Sequence, residues 1–242
     1  MPRPTFFNLP EDKRRNLVEI ALDEFAEHTY TGFSISRFVA RAGVAKGSFY
    51  QYFDDKMDLF RWLLFEDGGR RKLEFIRNSG ALDSSDWWSM LASIMLAGIG
   101  FGLANPRLAR VSMAVWFPSG DPDLHALHVQ TQALSRQAMR NLLTQGQEAG
   151  AVRKDIDLEL GAELLVSVSQ KGMDLAVVRK VGVDLLTFCS RPELADRFPR
   201  SEQVVLIGQV VDLLRRALGT ANPPAEASID IDRVSTLSWE PS

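Results

Sequence analysis

The chain is short of cysteine, of histidine and of net charge, and each shortage removes a class of function. One thiol, Cys189, excludes an intramolecular disulfide and a cysteine-built zinc cluster. It has no evident histidine partner, and none of the three histidines sits in a hydrolase-like motif, so no nucleophile–base pair is readable. A formal net charge of −3 means that the whole molecule is no basic coat for nucleic acid; any anion site must be a local patch. Long apolar runs are missing too. The longest, from Met90 to Ala104, is broken by Ser93 and three glycines and is too short to cross a bilayer. The opening stretch MPRPTFFNLPEDKRR lacks the apolar core of a signal peptide, so a cytoplasmic protein with no membrane partner is expected. Neither an internal repeat nor strand-type alternation before the tail is visible.

What is present is helical periodicity in a chain of 242 residues, 45% hydrophobic and 24% charged, ordinary values for a folded protein. An all-α fold is expected. Asn8-Leu9-Pro10-Glu11-Asp12 announces a first helix, whose apolar face Leu17, Ile20, Ala21 and Phe25 runs to a break at Tyr30-Thr31-Gly32. A short helix from Ser34 to Gly43 and another from Lys46 to Phe53 follow. Asp54 or Asp55 then caps a long helix from Lys56 towards Arg77, with Met57, Leu59, Phe60, Leu63, Leu64 and Leu73 facing inward. Asn78-Ser79-Gly80 marks a domain boundary. Beyond it, helices are expected at 86–104, 107–117, 123–149, 157–178 and 202–218, with a short helix and a loop between 181 and 200. The tail at 220–242 is polar and expected to be flexible, although Ile229, Ile231, Val234, Leu237 and Trp239 offer it apolar docking points.

Two short helices around a glycine turn have the geometry of a helix-turn-helix. Gly43 can adopt the positive φ that ends the first, and Val44 plugs the angle between them. In RAGVAKGSFYQYFDDK, Phe49 and Phe53 are four apart and face the core. Lys46, Gly47, Ser48, Tyr50, Gln51 and Tyr52 are expected on the outer side, a set of ammonium, hydroxyl, amide and backbone N–H donors suited to phosphate oxygens.

The stretch FSISRFVARAGVAKGSFYQYFDDKMDL resembles the DNA-binding domain of the TetR family of bacterial transcriptional regulators. A-G-V, K-G, a serine before an aromatic, Y-x-Y-F and a lysine three residues later fall in register, and the likeness extends over residues 11–71. The resemblance implies an N-terminal three-helix DNA-binding domain at 11–71, with its helix-turn-helix at 34–53. A helical effector-binding and dimerisation domain follows at 80–219. It further implies that Ser34 caps the first motif helix and can meet a phosphate, that Lys46 to Tyr52 enter the major groove, and that Tyr50, Ser48 and Lys56 contact the sugar-phosphate backbone. Gln51 is the candidate for reading a base edge. Arg37 stands where the family often has aspartate and adds a cation for phosphate or base. Ala45 replaces a frequent serine cap, at a cost of about 1 kcal/mol. Residues 1–56 hold eight Lys/Arg and eight Asp/Glu, so the head is locally neutral. Modest affinity per monomer and reliance on a palindromic double-stranded operator follow, with recognition helices about 34–36 Å apart.

The second region is rich in large, deformable side chains. Trp87, Met95, Phe101, Met113, Trp116, Phe117, Met139 and Met173 suit an effector cavity, although on helices such residues are more often plain core. His125 and His128 stand near Asp121 and Asp123 but lack a third ligand, so no metal and no cofactor is assigned. The resemblance implies homodimerisation through helices 157–178 and 202–218, where Leu160, Leu164, Leu165, Val168, Val204, Val205, Ile207, Gly208, Val211 and Leu214 give broad apolar faces. The expected function is a homodimeric repressor released by a small-molecule effector. The alternative is a DNA-binding regulator or architectural protein of the same fold with no effector. An enzyme is not expected.

Overall fold

Acids and one serine set where the helices begin. The computed structural model describes residues 1–84, 86–118 and 120–220. The expectations for residues 221–242 therefore lie outside the described residues. The order is α1 (Pro4–Phe7), α2 (Glu11–Gly32), α3 (Ile35–Ala42), α4 (Lys46–Tyr52), α5 (Lys56–Arg61) and α6 (Gly68–Asn78). Then come α7 (Trp87–Ala104), α8 (Pro106–Trp116), α9 (Pro122–Glu148), α10 (Leu158–Ser167), α11 (Met173–Val181), α12 (Leu185–Cys189) and α13 (Arg200–Leu218). The side chains of Ser34, Asp55, Asp86, Asp121, Asp157 and Asp184 each accept from a backbone N–H in the first turn of the helix that follows. A lone antiparallel bridge, Val152 to Gly219, is the extended pairing among the described residues, and it ties the end of α13 to the loop after α9.

Two interruptions shift faces that simple periodicity assigns. A π-helical turn at Trp62–Asp67 joins α5 to α6 within the expected long helix. Each such turn adds a residue to the i→i+4 ladder and rotates everything after it. Leu73, expected inside, is accordingly 64% exposed, while Gly68 is buried. A second π-helical turn at Val168–Gly172 separates α10 from α11. In α2 the break falls at Thr29, whose φ of 61° is the positive value of a non-glycine among the described residues. Tyr30 beyond it is buried beside Phe25 and Phe60.

Packing forms two apolar clusters. One joins Phe6, Leu17, Ala21, Phe25, Phe33, Phe38, Phe49, Phe53, Phe60 and Leu63, and it also takes in Leu108, Val111 and Val115 from α8 and Leu124 and Leu127 from α9. The head is therefore built on α8 as well as on its own helices. The other gathers Trp87, Trp88, Leu91, Leu143, Leu165, Val177, Phe188, Ile207, Val211 and Leu214 around the apolar helix α7. Leu165, Val204, Ile207, Val211 and Leu214, expected on a partner-facing surface, are thus buried inside the chain's own core. A helix packed between core and partner carries apolar residues on both faces, and composition alone does not separate them.

Close approach of α9 to Trp87 depends on Gly146. A Cβ there would stand 2.7 Å from Val152 Cγ2 and 2.8 Å from the indole Cε2 of Trp87. Gly146→Ala is expected to destabilise the fold by about 1–3 kcal/mol despite alanine's better helix propensity, and thermal unfolding followed by circular dichroism measures it.

Candidate nucleic-acid interface

The turn between α3 and α4 fixes the angle of a short, polar-faced helix. Gly43 takes φ 65°, and the N–H of Val44 donates back to the carbonyl of Val39 at 3.1 Å, closing α3 in a left-handed cap. Ser34 opens α3 by accepting from the N–H of Arg37 at 3.3 Å. α4 begins at Ala45 with no side-chain acceptor. Its inner face is Phe49, Tyr52 and Phe53, all buried. Lys46, Gly47, Tyr50 and Gln51 are exposed and Ser48 is half-buried. Lys46 and Gly47 precede Tyr50 and Gln51 by three to five residues, about one turn, which puts the two pairs on one broad stripe of the helix. The ring of Tyr50 stands edge-on to Phe49 with centroids 5.3 Å apart, so it is held while its hydroxyl faces outward.

Tyr52 is a correction. Expected outside, it is only 7% exposed, because it follows Phe49 by three residues and precedes Phe53, which places it on the inner stripe. Arg37 and Lys56 are also engaged within the protein. Arg37 donates through Nε to the buried carboxylate of Glu24 and through Nη2 to the carbonyl of Gly32 at 2.7 Å. Lys56 Nζ donates to the carbonyl of Tyr30 at 3.2 Å and lies 4.3 Å from the centre of the Tyr30 ring. Burial first, then the nearby Asp121, Asp123 and Asp55, pushes the Tyr30 phenol up to about 12, so that ring stays neutral. Lys46 has no ion pair among the described residues.

The neutral charge count of the head has a structural answer. Its acids are concentrated on α2 and are paired away from α4. Glu24, fully buried, receives Arg37 and Arg41. Asp23 receives Arg41 at 3.3 Å and Arg107 of α8 at 2.6 Å, and Glu19 receives Arg71 of α6 at 3.1 Å and Arg107. Arg71 and Arg107 lie outside the first 56 residues, so counting that segment alone misses the cations that neutralise its acids.

The residues expected to line an effector cavity are not gathered in one place. Trp87 and Met173 are buried in the α7 core, with Met95 and Met139 packed against it; Phe101 packs against the head cluster and stands 5.7 Å from Phe75. Met113 and Trp116 are half-buried on α8, and Phe117 is exposed. A groove of about 550 Å³ lies elsewhere, between α11 and α13, lined by Leu175, Ala176, Arg179, Phe198, Val205 and Leu206 among others. His128 Nδ1 sits 2.9 Å from the carbonyl of Val115, tying α9 to α8. Cys189 is buried, its thiol pushed up to about 12 by burial and then by Asp184, so it stays protonated and unreactive. Sequence reasoning missed α1: Phe6-Phe7, read only as part of a non-signal start, supplies a fully buried ring beside α4.

The family model for bacterial regulatory proteins of the tetR family matches residues 17–63. The HTH-type transcriptional repressor AcnR of Corynebacterium glutamicum is 25% identical over 161 residues, 62% of this chain and 74% of that protein. A TetR family transcriptional regulator from Chloroflexus aurantiacus is 32% identical, with 91% of this chain and 99% of that one covered and a TM-score of 0.61. The transcriptional regulator FadR from Bacillus subtilis, solved in complex with stearoyl-CoA, shares the fold at 18% identity, with coverage of 83% and 96% and a TM-score of 0.57.

Gly47 has open space where a Cβ would stand, so nothing within the chain requires glycine there. Gly47→Ala is expected to stabilise α4 by up to about 1 kcal/mol in thermal unfolding. If the start of α4 lies against a DNA backbone, the added methyl would stand between backbone N–H and phosphate, and binding to duplex DNA is expected to weaken about tenfold, the loss of one hydrogen bond. Unchanged DNA affinity by fluorescence anisotropy would mean that the start of α4 does not approach a DNA backbone.

Proposed function

The chain belongs to the TetR family of bacterial regulatory proteins, and on that premise we propose that it is a homodimeric cytoplasmic repressor. It holds a palindromic operator with two copies of α4 and releases it when a small-molecule effector binds the helical region. It is a DNA-binding transcriptional regulator and not an enzyme. The observation that carries the DNA reading is the single outward stripe of α4, with Lys46, Gly47, Tyr50 and Gln51 exposed above a fully packed inner face. Gln51 carries an amide to a base edge, Tyr50 and Lys46 carry donors to phosphates, and Ser34 and Ser48 stand beside them. Arg37 is assigned to holding α3 on Glu24, and Lys56 to holding α5 on Tyr30. The working units are the head at 11–71 and the effector and dimer region at 80–219.

A second exposed surface supports the dimer. On α10, α11 and α13, Leu160 is 71% exposed, Leu175 53% and Val205 57%, with Leu164 and Val178 also open. Such apolar exposure on neighbouring helices is costly in water and suits a self-complementary face related by a two-fold axis. A second copy of this chain covers the groove between α11 and α13.

Arg107 and Arg71 suggest how an effector is felt at the DNA. They tie α8 and α6 to Glu19 and Asp23 of α2, and Arg41 carries the pairing from Asp23 to α3. An effector that displaces α6 or α8, entering near the half-buried Met95, Phe101 and Met113, would tilt the head and change the spacing of the two α4 helices. Coupling of about 1–3 kcal/mol is enough for a useful response. An apolar effector suits these side chains, as the acyl-CoA bound to FadR would.

Two measurements test the proposal. Selection from a random duplex pool should yield a palindromic sequence, bound with a steep loss of affinity as salt rises. Gln51→Ala should relax the preference at one base position by about 1–3 kcal/mol. Leu175→Glu combined with Val205→Glu should give a monomer by light scattering and weaken operator binding on the order of a hundredfold. A double variant that stays dimeric overturns the assigned face.

A further inference from the structure

The recognition helix is too short to hold itself. α4 has seven residues, whereas isolated helices below roughly 12–15 residues are marginal in water. Its first turn has no side-chain cap, and its last four carbonyls have no partner within the helix. The Phe53 N–H takes one of them, that of Phe49, at 2.9 Å. Two more are taken by the segment at the start of the chain. The backbone N–H of Arg3 donates to the carbonyl of Tyr52 at 2.8 Å, and the hydroxyl of Thr5 donates to the carbonyl of Gln51. Phe6 then locks the segment down. It is fully buried, with its ring centre 4.9 Å from that of Phe53, 5.0 Å from Trp62 and 6.2 Å from Tyr52.

We infer that residues 3–7 are a strap that positions the recognition helix for DNA, with Thr5 and the backbone N–H of Arg3 as its positioning groups and Phe6 as its fastening. This rests on the reading that the outward stripe of α4 meets DNA. The strap grips the carbonyl of Gln51, the residue whose side chain faces outward as the base reader. A change in the strap therefore rotates or frays the end of α4 that must keep register. The guanidinium of Arg3 also reaches Asp54 at 2.7 Å, but both groups are largely exposed, so this ion pair contributes little. The carbonyl bonds and the buried ring carry the function. Arg3 has φ −72°, a value proline accepts, so Arg3→Pro keeps that torsion while replacing the N–H by a ring carbon that the Tyr52 carbonyl, 2.8 Å from the nitrogen, must move away from.

The test uses the full chain with Thr5→Val, Thr5→Ser, Arg3→Pro and Arg3→Gln. Amide hydrogen exchange over 46–53 should quicken in Thr5→Val and Arg3→Pro and stay at the wild-type rate in Thr5→Ser and Arg3→Gln. On a duplex that the wild-type protein selects from a random pool, Thr5→Val should bind about three- to tenfold more weakly, the range for one lost hydrogen bond, and Arg3→Pro at least as weakly. Binding to a random-sequence duplex of equal length should fall less, because the phosphate contacts that dominate it carry no sequence information and tolerate a small rotation of α4 better than a base-edge contact does. Equal losses on both duplexes, or exchange over 46–53 that does not respond, overturn the strap. The exchange readout needs no DNA, so a wild-type protein that selects no sequence defeats the functional reading while exchange still decides on the strap.

Discussion

Everything around α4 depends on burying one side of a helix that cannot stand alone. Phe49 and Phe53 are the links. From Phe49 the rings run to Phe38 at 5.9 Å and on through Phe33 to Phe25, whose ring stacks on Phe33 at 4.1 Å. From Phe53 they run to Phe6 and Trp62. Each helix of the head contributes a ring to this chain, so α4 is oriented by α1, α2, α3 and the turn after α5 together. Aromatic pairs add roughly 0.5–1.5 kcal/mol beyond their buried area, and their interlocked stacked, tilted and edge-on geometries restrict rotation as well as separation. That restriction matters more than the energy, because the proposed reading of base edges needs side chains placed to a fraction of an ångström.

Charge is arranged to leave the outer stripe of α4 unopposed. A carboxylate as buried as Glu24 is tolerated only with partners, and it has Arg37, Arg41 and the N–H of Ser34 at 3.4 Å. Arg37, which looks from the sequence like a contact to phosphate or base, is thereby tied to α2 and braces α3, as does Arg41. The more exposed pairs of Arg107 and Arg71 contribute little stability singly. Their placement between α2, α6 and α8 is what gives them interest, since they join the surfaces that must move together in the proposed switch. The head cluster strengthens that join, because Leu108, Val111 and Val115 of α8 sit within it. A shift of α8 is therefore a shift of the head's own floor.

Much of this was legible in the residues, and the failures share a cause. Helix starts were readable because Asp or Ser stood before an apolar period, and the glycine turn at 43 was readable because only glycine takes its φ without strain. The inward set Leu17, Ala21 and Phe25 followed from spacing alone. Tyr52 was misplaced because its hydroxyl outweighed its position; a tyrosine three residues from Phe49 faces where Phe49 faces. Leu73 was misplaced because no residue type announces the π-helical turn at Trp62–Asp67 that rotates it outward. The internal bonds of Arg37 and Lys56 leave no local pattern, because their partners, Glu24 and the Tyr30 carbonyl, lie thirteen and twenty-six residues away. The strap was invisible for the same reason: its bonds join residues 3 and 5 to the far end of α4.

α13 shows why the two apolar surfaces of such a helix have different fates. Val204, Ile207, Val211 and Leu214 recur at three- and four-residue spacing and are buried against α7, whereas Val205 and Leu213 lie off that stripe and are exposed. A helix at the edge of a monomeric core would place polar residues at those positions. Exposed leucines and valines on α10 and α11 face solvent in the same way, so the outward apolar character is shared by neighbouring elements and not confined to one substitution. A surface of that kind gains most from a copy of itself, because a two-fold axis pairs each apolar residue with another from the same set. In the proposed function, such pairing would set two α4 stripes, each too short to read more than a few base pairs, into one long, symmetric site.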